Sequence, residues 1–144
     1  MQNTSPHYLQ LPPEGELPPL EDKPPFKAIL IVDDETSEMW QWEVSRWLVE
    51  KGCRYLMAWG SACEAWKESV EDACLEAFNY EDVPEDKLVI TSFHDDEELS
   101  DVFWFSKHRA HHPAHDLKPV WLLHVAAQAT QARQDALLAE YEDA

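Results

Sequence analysis

Two short polar segments of this sequence carry side chains that could do chemistry, and each comes directly after an apolar run. The first is Asp33-Asp34-Glu35, which follows Ala28–Val32, and the second is His94-Asp95-Asp96. Carboxylate oxygens are the ligands that Mg²⁺ prefers, and a histidine beside them could serve as a general base. The two segments predict one acidic cleft if their strands are neighbours in a sheet. Its candidate residues are Asp33, Asp34, Glu35, His94, Asp95 and Asp96.

A structural role for these acidic residues is the alternative. Carboxylates that follow a strand and lead into a helix are favoured by the positive end of the helix dipole. The chain holds three glycines, which excludes a glycine-rich phosphate loop, and no nucleophile motif accompanies His94. The sequence therefore assigns no catalytic residue and no cofactor, and Mg²⁺ enters only with an alternative enzymatic function.

A second group of possible ligands is a histidine-rich stretch near residue 110. His108 and His112 are four residues apart, as are His111 and His115, a spacing that places two imidazoles on one helical face in many zinc sites. Pro113 interrupts any single helix through the stretch, and no His-Glu-x-x-His motif is present. A solvated histidine-rich loop is the alternative to a zinc site.

The chain is rich in tryptophan, with seven in 144 residues. Trp40, Trp47 and Trp66 recur at helical spacing among other apolar residues, which predicts burial. Trp42 and Trp104 do not fit the same inner faces. An exposed Trp within an acidic surface is typical of a protein-binding hot spot, and the alternative is an apolar stripe covered by the N-terminal segment.

The charge balance bounds the kind of partner. Lys and Arg number 11 against 29 Asp and Glu, a formal net charge of −18. Nucleic acid is not expected as a partner because phosphate binding needs a basic surface, and an anionic membrane is disfavoured for the same reason. The acidity either keeps the protein soluble or steers a basic partner protein toward an acidic face.

The sequence predicts a cytoplasmic protein. Its start lacks the basic and apolar regions of a secretory signal, and no apolar run approaches the roughly 18 residues of a membrane span. The three cysteines form no Cys-x-x-Cys pair, which is typical of buried thiols in a reducing compartment.

Apolar strands alternate with amphipathic helices after residue 25, which predicts one α/β domain over residues 26–144. The strands are predicted at the run that ends at Val32 and at residues 54–59, 87–93 and 119–125. Such alternation implies a four-stranded, mainly parallel sheet in three α/β/α layers, a truncated flavodoxin-like or receiver-like arrangement. We expect the strand order 2-1-3-4, which makes the first and third strands neighbours.

Residues 1–25 are predicted to form an acidic, Pro-rich arm in front of this domain. They contain most of the ten prolines of the chain. Proline removes backbone donors and favours extended geometry, so we expect neither a helix nor a central strand in this segment.

The segment Ile29–Glu35 resembles the first strand and the acidic pair of response-regulator receiver domains. The resemblance implies Mg²⁺ binding by that pair, beside a phosphoaccepting Asp on the third strand. Phe93-His94 stands at the place of that Asp, and Asp95 is the nearest carboxylate. Because no fifth strand is predicted either, the implied protein is a degenerate phosphoreceiver.

A second resemblance extends over about residues 26–125. The segment Ala58-Trp59-Gly60 with Cys63 and Trp66, together with Ile90–Asp96, is similar to a family of small bacterial domains of unknown function. This resemblance implies no activity, catalytic residue or cofactor.

The leading functional hypothesis is a non-enzymatic acidic module that binds a basic protein, such as an immunity or antitoxin-type inhibitor. It depends on the net charge of −18, the lack of a catalytic set and the surplus of aromatic residues. The alternative is a metal-dependent enzyme or degenerate phosphoreceiver that uses the acidic cleft with Mg²⁺ or Zn²⁺. A scaffold protein without a small ligand is a third possibility.

Overall fold

A computed structural model describes residues 6–18, 25–128 and 130–144 of the chain. Its centre is a five-stranded parallel sheet with the order β1-β5-β2-β3-β4. The strands are β1 His7–Leu11, β2 Phe26–Val32, β3 Cys53–Gly60, β4 Ile90–His94 and β5 Val120–Val125. The helices are α1 Glu38–Lys51, α2 Cys63–Ala77, α3 Leu99–His108 and α4 Gln131–Asp143, and a 3-10 turn spans Glu85–Lys87.

Strand β2 is central, and all seven of its residues are buried. Leu30 and its alternate neighbours face a core formed with α1 and α2, whereas Ile29 and Ile31 face a second core formed with α3 and α4. A strand covered by helices on both faces needs apolar residues at every position. This requirement explains the unbroken apolar run in the sequence and confirms the predicted α/β class.

The local sequence determines where helix α1 begins and ends and which of its faces is buried. The Ser37 hydroxyl accepts a hydrogen bond from the Trp40 N–H, and Gly52 ends the helix in the left-handed conformation. Trp40, Val44 and Leu48 are buried on one face, as their spacing predicts. The start of α1 is thereby held at the carboxyl end of β2.

The predicted strand order 2-1-3-4 is wrong. The strand predicted as third is β4, which pairs only with β3 at one edge of the described sheet, and the strand predicted as fourth is β5, which pairs with β2. The chain runs outward from β2 to β3 and β4 with α1 and α2 on one face, and α3 returns it across the other face. This arrangement is the one that right-handed crossovers require. The neighbours of β2 are therefore β3 and β5.

The predicted number of four strands is also wrong, because His7–Leu11 adds β1 in parallel beside β5. This segment contains no proline between Pro6 and Pro12, and an edge strand needs ladder hydrogen bonds on one side only. Part of the predicted arm thus belongs to the sheet. Residues 1–5 and 19–24 of that arm lie outside the described residues.

The segment after β1 lies along α1. The indole Nε1–H of Trp40 donates to the Gly15 carbonyl at 2.9 Å, and that of Trp47 donates to the Pro18 carbonyl at 3.0 Å. Glu14 accepts hydrogen bonds from Ser37 at the helix start. Within the described ranges, no helix has the length and apolar character needed to cross a membrane.

Candidate functional site

The loops that leave β2 and β5 turn to opposite faces of the sheet. Helix α1, which follows β2, packs in one core, and α4, which follows β5, packs in the other. In open α/β sheets, ligands and partners commonly bind at such a switch point, beyond the carboxyl ends of the strands. The side chains at this point are Asp33 from β2 and His124 from β5.

His124 connects three neighbouring strands through its two ring nitrogens. Its Nε2 lies 2.5 Å from Asp33 Oδ2, and the Tyr8 hydroxyl lies 2.7 Å from its Nδ1. A neutral imidazole can donate one hydrogen bond to the carboxylate and accept the other from the phenol. His124 is 1% exposed, so these contacts satisfy a polar ring inside the sheet.

The two aspartates at the end of β2 also have partners on β5 and α4. Asp33 Oδ1 lies 3.5 Å from the Arg133 guanidinium in the first turn of α4. Asp34 Oδ2 accepts the Ala127 N–H at 2.7 Å. These carboxylates therefore tie the β5–α4 junction to β2.

Burial raises the pKa of Tyr8; the nearby charge of Arg133 lowers it and that of Asp33 raises it again. Because the net shift is upward from an ordinary value of 10.0, the phenol keeps its proton at neutral pH. The Tyr8 hydroxyl can therefore donate to Nδ1 of His124 while Nε2 of the same ring donates to Asp33. The Tyr8–His124–Asp33 set forms a polar network across three strands.

The predicted acidic cleft is not formed, because β3 separates the ends of β2 and β4. His94 lies opposite Trp59 of β3 rather than beside Asp33. Its Nε2 is 2.9 Å from the Ser92 hydroxyl and its Nδ1 is 3.1 Å from Glu97. The structure thus leaves Asp33, Asp34 and Glu35 in one group and His94, Asp95 and Asp96 in another, one strand further along the sheet edge.

The predicted zinc ligands are held by other contacts. His112 Nε2 donates to the Leu88 carbonyl at 2.8 Å, and His115 Nε2 donates to the Asp86 carbonyl at 2.7 Å. His108 packs against Trp104, with ring centroids 4.8 Å apart, and His111 is exposed. Among the described residues, no group of three or more His, Cys, Asp or Glu side chains is arranged to hold a metal ion.

The two tryptophans predicted to bind a partner lie on different faces. Trp42 is half-buried on α1, whereas Trp104 on α3 is 45% exposed. The Arg109 guanidinium lies 5.6 Å from the Trp104 ring centroid. Since α1 and α3 cover opposite faces of the sheet, these residues do not form one patch.

The carboxyl edge of the sheet carries a continuous series of acidic residues. All strands are parallel, so the strand-to-helix junctions meet at this edge. We call the exposed carboxylates at these junctions the acidic rim. It consists of Asp33, Asp34, Glu35, Glu38, Glu64, Asp95, Asp96, Glu97, Glu98 and Asp101.

Basic residues are concentrated at the other end of the molecule. Arg133 is the basic side chain at the described junctions of the acidic rim. The opposite edge, where the strands begin and the helices end, carries several lysines and arginines interspersed with acids. These basic residues are Lys27, Lys51, Arg54, Lys87, Lys107, Arg109 and Lys118.

Sequence reasoning missed Tyr8, His124 and Arg133. His124 carried a usable signal, because it is the one ionisable residue within the apolar segment Val120–Val125. Tyr8 carried none, since its role depends on the pairing of β1 with β5.

The fold and the rim define an acidic parallel α/β protein without an assembled metal centre in its described part. A family model described as a domain of unknown function, DUF7684, matches residues 6–144, and the chain belongs to this family. The match includes β1 and therefore extends beyond residues 26–125, the segment whose sequence resembles a family of unknown function.

Two further comparisons complete these findings. No curated protein matches the chain. A crystal structure described as that of a hypothetical protein is similar with a TM-score of 0.46 and 13% identity, covering 85% of this chain and 74% of the other. These findings give no support to the resemblance to receiver domains.

Proposed function

We propose that the protein is a non-enzymatic binding module whose acidic rim contacts a basic surface on another protein, as an immunity or antitoxin-type inhibitor would. The observation that carries this proposal is the row of exposed carboxylates on the acidic rim, where Arg133 is the basic side chain at the described junctions. A surface that carries one sign of charge raises the rate of encounter with an oppositely charged partner and disfavours binding of other proteins.

The fold makes a dense acidic surface tolerable. Glu38, Glu64 and Asp101 lie in the first turns of α1, α2 and α3, where the positive end of each helix dipole stabilises a carboxylate. The helices therefore offset part of the repulsion among the rim residues. The same carboxylates placed away from helix N-termini would lack this compensation.

Several rim side chains are available for a partner. Glu35, Asp95, Asp96 and Glu98 are exposed, and none of them forms a side-chain hydrogen bond or ion pair within the described ranges. Asp33 and Asp34, by contrast, are engaged with β5 and α4. We infer that the engaged pair fixes the rim and that the unengaged residues contact the partner.

The enzymatic alternative lacks a comparable observation. A Mg²⁺-dependent site would need Asp33 and Asp34 as ligands, and both already have protein partners. It would also need His94 at the same place, and β3 lies between them. The acidic rim is therefore the stronger basis for a function.

A charge-matched pair of variants tests the proposal. The rim variant carries Glu35→Gln, Asp95→Asn, Asp96→Asn and Glu98→Gln. The control variant removes the same charge from exposed sites outside the rim and carries Glu68→Gln, Asp72→Asn, Glu81→Gln and Asp82→Asn. The immobilised wild type and both variants are incubated with a lysate of the source cells, and bound proteins are identified by mass spectrometry.

We expect the wild type and the control variant to retain the same basic protein and the rim variant to lose it. Binding should also disappear at about 1 M salt, where the Debye length is about 3 Å. Equal recovery by the two variants, or recovery that is unchanged at high salt, would show that the rim is not the binding surface.

A further inference from the structure

A cavity of about 550 Å³ lies at the end of the molecule opposite the acidic rim. Its wall combines the start of β2, the end of α3 and the histidine-rich loop before β5. The lining residues that carry charge or a ring nitrogen are Lys27, Lys107, His111, His112, His115 and Asp116. Two lysines and one aspartate therefore line this cavity in a chain whose net charge is −18.

Lys27 is the central feature of the cavity wall. It occupies the second position of β2 and is 9% exposed. Its side chain lies on the same side of the sheet as Ile29 and Ile31 and reaches α3, where its Nζ donates to the Ser106 carbonyl. That carbonyl belongs to the last turn of α3, so the lysine complements the negative end of the helix dipole.

This contact leaves the buried charge incompletely satisfied. An ammonium group has three donors, and the Ser106 carbonyl is the single acceptor within hydrogen-bond distance among the described residues. No carboxylate forms an ion pair with Lys27 in the same ranges; Asp116, on the cavity wall, lies 3.7 Å from Lys118. A buried cation without a counter-ion is costly.

The protonation equilibrium of Lys27 reflects the same imbalance. Burial lowers the pKa of Lys27 from its ordinary value of 10.5, and the charge of Asp116 opposes this shift only in part. At neutral pH an anion in the cavity would restore the missing charge balance.

Two further side chains of the wall, Lys107 and His115, are oriented by main-chain oxygens. Lys107 Nζ donates to main-chain oxygens of Glu142 and Ala144, at 3.2 and 3.1 Å. His115 is oriented by the Asp86 carbonyl. Main-chain oxygens therefore hold both side chains at the cavity wall.

We propose that this cavity binds a small oxyanion, a phosphate or carboxylate group, on the ammonium of Lys27. Lys107 supplies further positive charge, and the histidine-rich loop, which includes His115, forms the outer wall. The site is separate from the acidic rim, because it lies where the strands begin rather than where they end. Its existence does not depend on the proposed binding of a basic protein.

Calorimetric titration with inorganic phosphate, and separately with acetate, tests the site at constant ionic strength. The wild type should bind at least one of the two anions. Lys27→Met, which removes the charge but keeps an apolar chain, should weaken binding at least tenfold. Lys118→Met is the matched control, because this exposed lysine is not part of the cavity wall, and it should bind as the wild type does.

Backbone amide chemical shifts of the wild type provide a second readout that needs no variant. Anion binding should shift the signals of Lys27 and residues 111–117, and this result also decides the matter if Lys27→Met does not fold. The proposal is overturned if neither anion binds, if Lys27→Met binds as tightly as the wild type, or if the shifted signals lie elsewhere.

Discussion

His124 shows how one polar residue inside an apolar strand organises the centre of the candidate site. Its two ring nitrogens face Tyr8 on one side and Asp33 on the other. In a buried position a lone imidazole would be destabilising, because unsatisfied polar groups lose their water without replacement. The residue is tolerated because β1 and β2 each supply one partner.

Replacement of Tyr8 by Phe tests this network. The variant leaves Nδ1 of His124 without its hydrogen-bond partner, and we expect a loss of about 1–2 kcal/mol in the free energy of unfolding. Urea denaturation measures the change. Tyr80→Phe is the control, since Tyr80 is 66% exposed and should leave stability unchanged within about 0.5 kcal/mol. Equal stability of the two variants would contradict the assigned role of Tyr8.

Part of the site was predictable at this scale and part was not. The position of Asp33 and Asp34 at the end of a buried strand follows from a local apolar run. The partnership of Tyr8 with His124 joins residues 116 positions apart, and no local pattern encodes that distance. The incorrect pairing of Asp33 with His94 has the same cause.

The N-terminal segment is the part of the chain whose structure differs most from the one that its proline content predicts. Its prolines exclude a helix, yet the proline-free His7–Leu11 forms an edge strand, and residues 14–18 contact α1 through Glu14 and two indole donors. Among these contacts, the hydrogen bonds that Ser37 donates to the Glu14 carboxylate depend on pH, because the carboxyl group titrates.

Acidification should release the contact between Glu14 and Ser37. Hydrogen bonds from the Ser37 hydroxyl and backbone N–H lower the pKa of Glu14 from its ordinary value of 4.5. A carboxyl group with a lowered pKa in the folded state adds stability above about pH 4.5, and this contribution is lost as the pH falls through the folded-state pKa.

Glu14→Gln isolates this contribution. The urea midpoint of the variant should lie below that of the wild type at pH 7, and the difference should shrink as the pH approaches 3. Glu16→Gln, a substitution at a neighbouring exposed residue, should show no such convergence. A difference that stays constant from pH 7 to pH 3 would show that the ionised carboxylate is not what holds the segment.

The strands and helices after residue 25 were largely predictable, whereas their arrangement was not. An uninterrupted apolar run identifies β2 because both of its faces are covered, and the helical spacing of Trp40, Val44 and Trp47 identifies the inner face of α1. Apolar patterns report burial but not which strand lies beside which. The strand order was therefore set by the crossover directions, which the sequence does not state.

In the molecule as a whole, the parallel sheet places a row of exposed acids at one edge and most of the basic residues at the other. The junctions that follow β2, β3 and β4 contribute exposed acids to one edge, whereas Lys27 and other basic residues lie at the opposite edge. The first part of this pattern follows from the sequence once strands and helices are assigned. The cavity around Lys27 does not, because its wall is assembled from β2, α3 and the loop before β5.

The most direct test of the acidic rim is the association rate with the purified partner, measured by stopped flow across a range of salt concentrations. At low salt, we expect the rim variant Glu35→Gln, Asp95→Asn, Asp96→Asn, Glu98→Gln to associate at least about tenfold more slowly than the charge-matched control variant. The two rates should converge near 1 M salt because the rim charges are then screened. Equal association rates of the two variants at low salt would contradict a binding function of the acidic rim.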